Sequence, residues 1–83
     1  MRAAKLRERL CSEVVCILHD ERKRKKISMI RLAEKSGLSQ SMISLVERDL
    51  RNPTLDTLLR MADALEIELS DVLVKAKHRV SES

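Results

Sequence analysis

Residues Ser28 to Glu47 read SMIRLAEKSGLSQSMISLVE, and Gly37, the only glycine of the chain, stands near their middle. Helix interiors avoid glycine, whereas the residue just past a helix end often takes a left-handed backbone that glycine adopts without steric cost. Gly37 therefore reads as a stop. Ser28 precedes an apolar pattern at Leu32 and Ala33, and Ser39 precedes Ile43 and Val46. Each serine is placed to accept an orphan backbone N–H as an N-cap. Two starts and one stop define two short helices, expected over Met29 to Ser36 and Gln40 to Arg48. A connection as short as Gly37 to Ser39 forces a steep crossing, a geometry that leaves the second helix free for a DNA major groove.

Outward from this unit the pattern stays helical. Leu6, Leu10, Val14, Ile17 and Leu18 recur at three- and four-residue steps from about Ala3 to Arg24, and Cys11 and Val15 widen the stripe beyond what one small core needs. After the unit comes a loop, Asp49 to Pro53, because Pro53 cannot continue a helix from before it. Thr54 then caps a fourth helix whose Leu55, Leu58, Leu59, Ala62 and Leu65 are expected on one apolar face. Ser70 starts a fifth, carrying Val72, Leu73 and Ala76 toward a charged, frayed end near Ser81 to Ser83. The expected architecture is all-α: one domain over residues 1–83, a compact five-helix bundle with an extended N-terminal helix.

Composition excludes several rivals. The chain has 83 residues and no Trp, Tyr or Phe, so its core must come from Leu, Ile, Val, Met and Ala, which suits helix packing better than a β-sandwich. No apolar run approaches the roughly 20 residues of a membrane span, and the basic N-terminus lacks the apolar segment of a signal peptide. The expectation is a soluble cytoplasmic protein without a membrane partner. Cys11 and Cys16 lie five residues apart in one helical pattern and point in different directions, so they read as reduced thiols. No Cys or His pair has metal-binding spacing, no nucleophile stands with a base, and a bundle this small offers little concave volume. Neither metal, cofactor, small-molecule ligand nor enzymatic activity is expected.

The net charge of +4 and a pI near 9.4 suit a polyanionic partner. Arg22 to Lys26, RKRKK, closes the first helix, where cations complement the negative helix terminus. The run has two readings, a solvated helix end or phosphate contacts from some of its side chains.

The segments RLAEKSGLSQSMISLVER and RNPTLDTLLRMADAL, with the spacing between them, resemble the lambda-repressor-like, Cro-type (Xre) helix-turn-helix DNA-binding family over Leu18 to Leu73. The resemblance implies a bundle of about five helices with the helix-turn-helix at residues 28–48. It implies double-stranded DNA as partner and base-edge contacts from Gln40, Ser41 and Ser44. The Gln40 amide offers a donor beside an acceptor, as adenine N6 and N7 require. Leu45 stands where relatives often carry a polar base reader, so it either presses a thymine methyl or packs a neighbour. Phosphate contacts are implied for Ser39, Arg48, Arg51, Asn52 and the N-H groups at the Thr54 cap. Met29 departs from a family position that commonly holds a phosphate-binding Gln, and Asp49 from one that usually holds glycine. Glu47 matches a family glutamate that pairs with a helix-one arginine, here Arg22, as a structural ion pair.

Two surplus apolar stretches suggest a partner surface: Leu6, Leu10 and Val14 before the family segment, and Val72, Leu73 and Ala76 on the last helix. Pairing two units on a two-fold site is the usual way such a small module gains affinity, so a homodimer on an inverted repeat is expected. The function expected is transcriptional regulation by a restriction-modification controller, a phage-type repressor or a toxin pair's DNA-binding antitoxin. The alternative is a helical protein-interaction module with weak or no DNA binding, motivated by Met29, Leu45 and Asp49.

Overall fold

The computed structural model describes residues 3–82. Among them five helices follow in order, α1 (Ala3–Arg24), α2 (Met29–Ser36), α3 (Gln40–Glu47), α4 (Leu55–Ala64) and α5 (Leu69–Glu82), and there is no strand. The ends differ slightly from expectation. α3 stops at Glu47 with Arg48 as its cap, and α5 begins one residue early, at Leu69. Helix continues through Ser81 and Glu82, while Ser83 lies outside the described residues.

Four helices close on a left-handed residue, and only one of those residues is glycine. Gly37 has φ 76°, as the sequence requires, but Lys26, Asp49 and Glu66 take φ of 59°, 59° and 61° without being glycine. Each of the three completes the same paired closure. Ile27 N–H reaches Arg22 O while Lys26 N–H reaches Lys23 O; Leu50 and Asp49 do likewise to Leu45 and Val46, and Ile67 and Glu66 to Ala62 and Asp63. Six backbone carbonyls are thereby satisfied at helix ends, against a left-handed penalty of about 1–2 kcal/mol per residue.

Leu18, Leu32, Ile43, Val46, Met61 and Leu65 are the largest fully buried side chains, so α1 to α4 converge on one centre. α1 and α5 pack along each other more extensively than any other helix pair. That seam corrects three sequence expectations: Val14, Val72 and Ala76, read as partner surface, are 3%, 4% and 0% exposed within the chain's own core. The apolar surplus of α1 is largely consumed by α5. Leu55 and Leu59 depart the other way. They were expected on one apolar face with Leu58, Ala62 and Leu65, yet both are exposed. Met29 packs against the core, which accounts for a thioether at that position.

Candidate nucleic-acid interface

Side-chain oxygens fix the start of both short helices. Ser28 Oγ accepts from Arg31 N at 3.0 Å and Ser39 Oγ accepts from Met42 N at 3.0 Å, each serine in extended backbone. Between them, Gly37 N–H donates to Ala33 O at 3.0 Å, and Leu38 N–H donates to Ser36 Oγ at 3.3 Å. The guanidinium of Arg60, on α4, donates to Ser36 O at 3.3 Å and so ties the end of α2 to a neighbouring helix. A side chain at residue 37 would stand 3.1 Å from that same guanidinium nitrogen. The turn is held by its backbone, by Ser36 and by Arg60.

Ile43 and Val46 are fully buried, which fixes the rotation of α3 about its own axis. The opposite face carries Gln40, Ser41, Ser44, Leu45 and Arg48, which line one shallow groove. Gln40 and Ser41 are exposed, whereas Ser44 and Leu45 are half-buried. Arg48 Nε donates to Ser44 O at 3.4 Å, folding the guanidinium along the helix end. Ser39 lies at the opposite, N-terminal end of α3, where its hydroxyl oxygen is engaged in capping. Arg51 and Asn52 follow on the exposed loop. Thr54 Oγ1 accepts from Thr57 N at 3.1 Å and starts α4.

Glu47 points away from this groove. Its side chain is only 2% exposed and receives Arg22 in a two-pronged contact, Nε to Oε2 at 2.6 Å and Nη2 to Oε1 at 2.9 Å. Arg22 Nη1 also donates to Ile27 O at 2.7 Å. The pair therefore joins α1, the α1–α2 turn and the last turn of α3. His19 Nε2 adds a contact to Glu47 Oε1 at 3.9 Å.

Contacts distant in sequence complete the frame. Ser12 Oγ donates to Asp49 Oδ2 at 2.6 Å, joining α1 to the loop that follows α3. Thirty-seven positions separate the two residues, and no local pattern in the chain announces the bond. Lys25 Nζ donates to Leu65 O at the end of α4. Arg60 bonds Asp56 Oδ2 at 2.8 Å, and that carboxylate raises the guanidinium pKa further. Glu21 is held below the ordinary glutamate range chiefly by the Arg24 hydrogen bond, with the charges of Arg24, Lys25 and Lys75 adding to it. Partial burial opposes that shift.

The fold and site define a five-helix bundle carrying a helix-turn-helix unit whose second helix presents a polar outer groove. The chain belongs to the helix-turn-helix family, whose model matches residues 18–72. It is 44% identical over 52 residues to the immunity repressor protein of Bacillus phage phi105, a match covering 63% of this chain and 36% of that protein. It is 39% identical over 59 residues to an uncharacterized HTH-type transcriptional regulator of Mycobacterium tuberculosis, covering 71% of this chain and 42% of the relative. The chain thus spans less than half the length of the curated relatives it matches. Among solved structures it is similar to the restriction-modification controller protein C.AhdI of Aeromonas hydrophila, at TM-score 0.70 and 35% identity over 75% of this chain and 94% of that one. It is also similar to a tyrosine-to-phenylalanine mutant of the controller C.Esp1396I bound to its highest affinity operator site. There the TM-score is 0.74, with 31% identity over 82% of this chain and 93% of that one.

Proposed function

We propose that this protein is a sequence-specific DNA-binding transcriptional regulator acting as a homodimer on an inverted-repeat operator. The observation that carries the reading is the outer face of α3, where Gln40, Ser41, Ser44, Leu45 and Arg48 form one groove opposite a fully buried inner face. A helix presented this way enters the major groove by its N-terminal residues, which places Gln40 at the base edges and Ser41 beside it. Ser44 and Leu45 lie a turn further on, and the half-buried Leu45 suits a thymine methyl better than a solvated position does. Arg48, Arg51, Asn52 and the α4 start capped by Thr54 serve the phosphates. Ser39 contributes through the helix end it caps. Arg22 and Glu47 hold the reading helix in place and read nothing themselves. Similarity to a controller bound to operator DNA and to a phage immunity repressor supports this class of function, including repression.

The dimer surface is revised by the core. With Val14, Val72 and Ala76 internal, Leu6 and Leu73 remain outward of the residues expected there, Val74 beside Leu73 is exposed as well, and the half-buried Leu10 shares a cleft with Leu73. Leu55 and Leu59 on α4 join them as exposed apolar surface. No helix among the described residues is long and apolar enough to cross a membrane. Light scattering is expected to give a dimer at tens of micromolar and a monomer for Leu73→Glu. A wild-type monomer at that concentration would remove the two-fold part of the proposal. The second reading, an interaction module, draws on Met29, whose place in the core leaves no side-chain donor for phosphate at the α2 start. Failure to shift any duplex at low salt would favour it.

A further inference from the structure

The helix-turn-helix match begins at residue 18, yet α1 begins at Ala3. Four turns of helix thus precede the matched segment, and they lie along the rest of the molecule: Ser12 donates to Asp49 on the α3–α4 loop at 2.6 Å. Five residues earlier, about 7.5 Å along the helix axis at 1.5 Å per residue, stands Arg7. Arg7 is exposed and has no ion-pair partner among the described residues. It borders two adjoining clefts, and Asn52 borders both of them. Leu10, Val14, Leu58 and Leu73 make the first cleft apolar, whereas Glu8, Ser12 and Asp49 make the second polar.

We infer that the N-terminal part of α1 is a further DNA-contacting element, with Arg7 binding the sugar-phosphate backbone beside the contacts of Arg51 and Asn52. The inference rests on the DNA-binding reading above. Arg7 and Asn52 flank the second, polar cleft, so a phosphate docked on Asn52 there lies within reach of a long guanidinium side chain, whose fork matches phosphate oxygens. The Ser12 bond orders this arrangement. It fixes the extension against the loop, and it draws the Asp49 carboxylate toward α1. The second cleft sets Arg7 against two acids, Glu8 and Asp49, so the attraction for a phosphate comes from Arg7 together with Arg51 on the adjoining exposed loop. Because backbone contacts carry no sequence information, the element adds affinity and register without altering which bases are read.

The test is the salt dependence of binding to a mixed-sequence duplex, measured for wild type, Arg7→Ala, Arg7→Lys and Arg51→Ala. Each neutralised phosphate contributes about 0.9 to the slope of log K against log salt, so Arg7→Ala should fall about 3.5-fold less than wild type between roughly 50 and 200 mM. Arg51→Ala should behave likewise, and Arg7→Lys should retain the wild-type slope. An unchanged slope for Arg7→Ala beside a shallower one for Arg51→Ala would overturn the role of α1 and leave the DNA reading intact. Four identical slopes would overturn the phosphate contacts of Arg7 and Arg51 alike, and a wild-type protein that does not bind would remove the DNA reading and this inference with it.

Discussion

Replacing Glu47 with alanine removes the acceptor from a guanidinium that the fold has almost fully desolvated. The Arg22 side chain is 8% exposed, and two of its three nitrogens spend their hydrogen bonds on Glu47. Without the carboxylate, only the bond from Nη1 to Ile27 O remains, and the charge is left buried. Stranding one partner of such a pair costs about 3–5 kcal/mol. At roughly 0.05–0.15 kcal/mol per residue, a chain of this length has a total stability of about 4–12 kcal/mol, so the loss takes a large share of it. The melting temperature should fall by at least about 12 °C. Far-UV circular dichroism during heating and urea unfolding is the suitable assay, since the chain has no aromatic residue to report fluorescence. A double variant, Arg22→Met with Glu47→Leu, should recover much of the loss because it buries no unpaired charge. A Glu47→Ala protein within about 1 kcal/mol of wild type would refute the argument, as would one that keeps its melting temperature but changes operator preference.

Three further outcomes follow from the same geometry. Gly37→Ala should destabilise by about 1–2 kcal/mol, because φ is 76° and the new methyl would press the Arg60 nitrogen that holds Ser36 O. Glu66→Gly should act oppositely, gaining at most about 1 kcal/mol after the entropy cost of glycine, measurable by urea midpoint. Glu21, held below the ordinary glutamate range by Arg24, contributes stability above the unfolded-state pKa and loses it as pH falls through the folded-state value. Because Arg24 is exposed, the difference between wild type and Glu21→Gln should stay below about 1 kcal/mol near neutrality and vanish on acidification in pH-dependent unfolding.

The parts of this fold that local chemistry decides were legible in the sequence. The caps at Ser28, Ser39 and Thr54 all accept the backbone N–H expected of them, and Gly37 sits left-handed where two helices must separate. Helix ends without glycine were harder. Lys26, Asp49 and Glu66 take the same left-handed turn as Gly37, but nothing in their residue types marks it beyond the tolerance of Asp at position 49. Periodicity located the apolar faces and could not say what covers them. Val14, Val72 and Ala76 looked surplus because α1 and α5 are far apart in sequence, yet they meet and bury each other. Leu55 and Leu59 looked like core and face outward for the converse reason. The groove of α3 was readable as a set of residues, since Ile43 and Val46 fix its opposite face. The loop behind it was not, because its anchor, Ser12, comes from the other end of the domain.

Selection of bound sequences from a pool of random duplexes tests the proposed function most directly. A two-fold symmetric pair of half-sites should emerge, and Gln40→Ala should lose discrimination at one base pair in each half by about 1–3 kcal/mol while leaving the rest of the motif intact. A pool that remains random at low salt, with no sequence enriched over any other, would contradict the account.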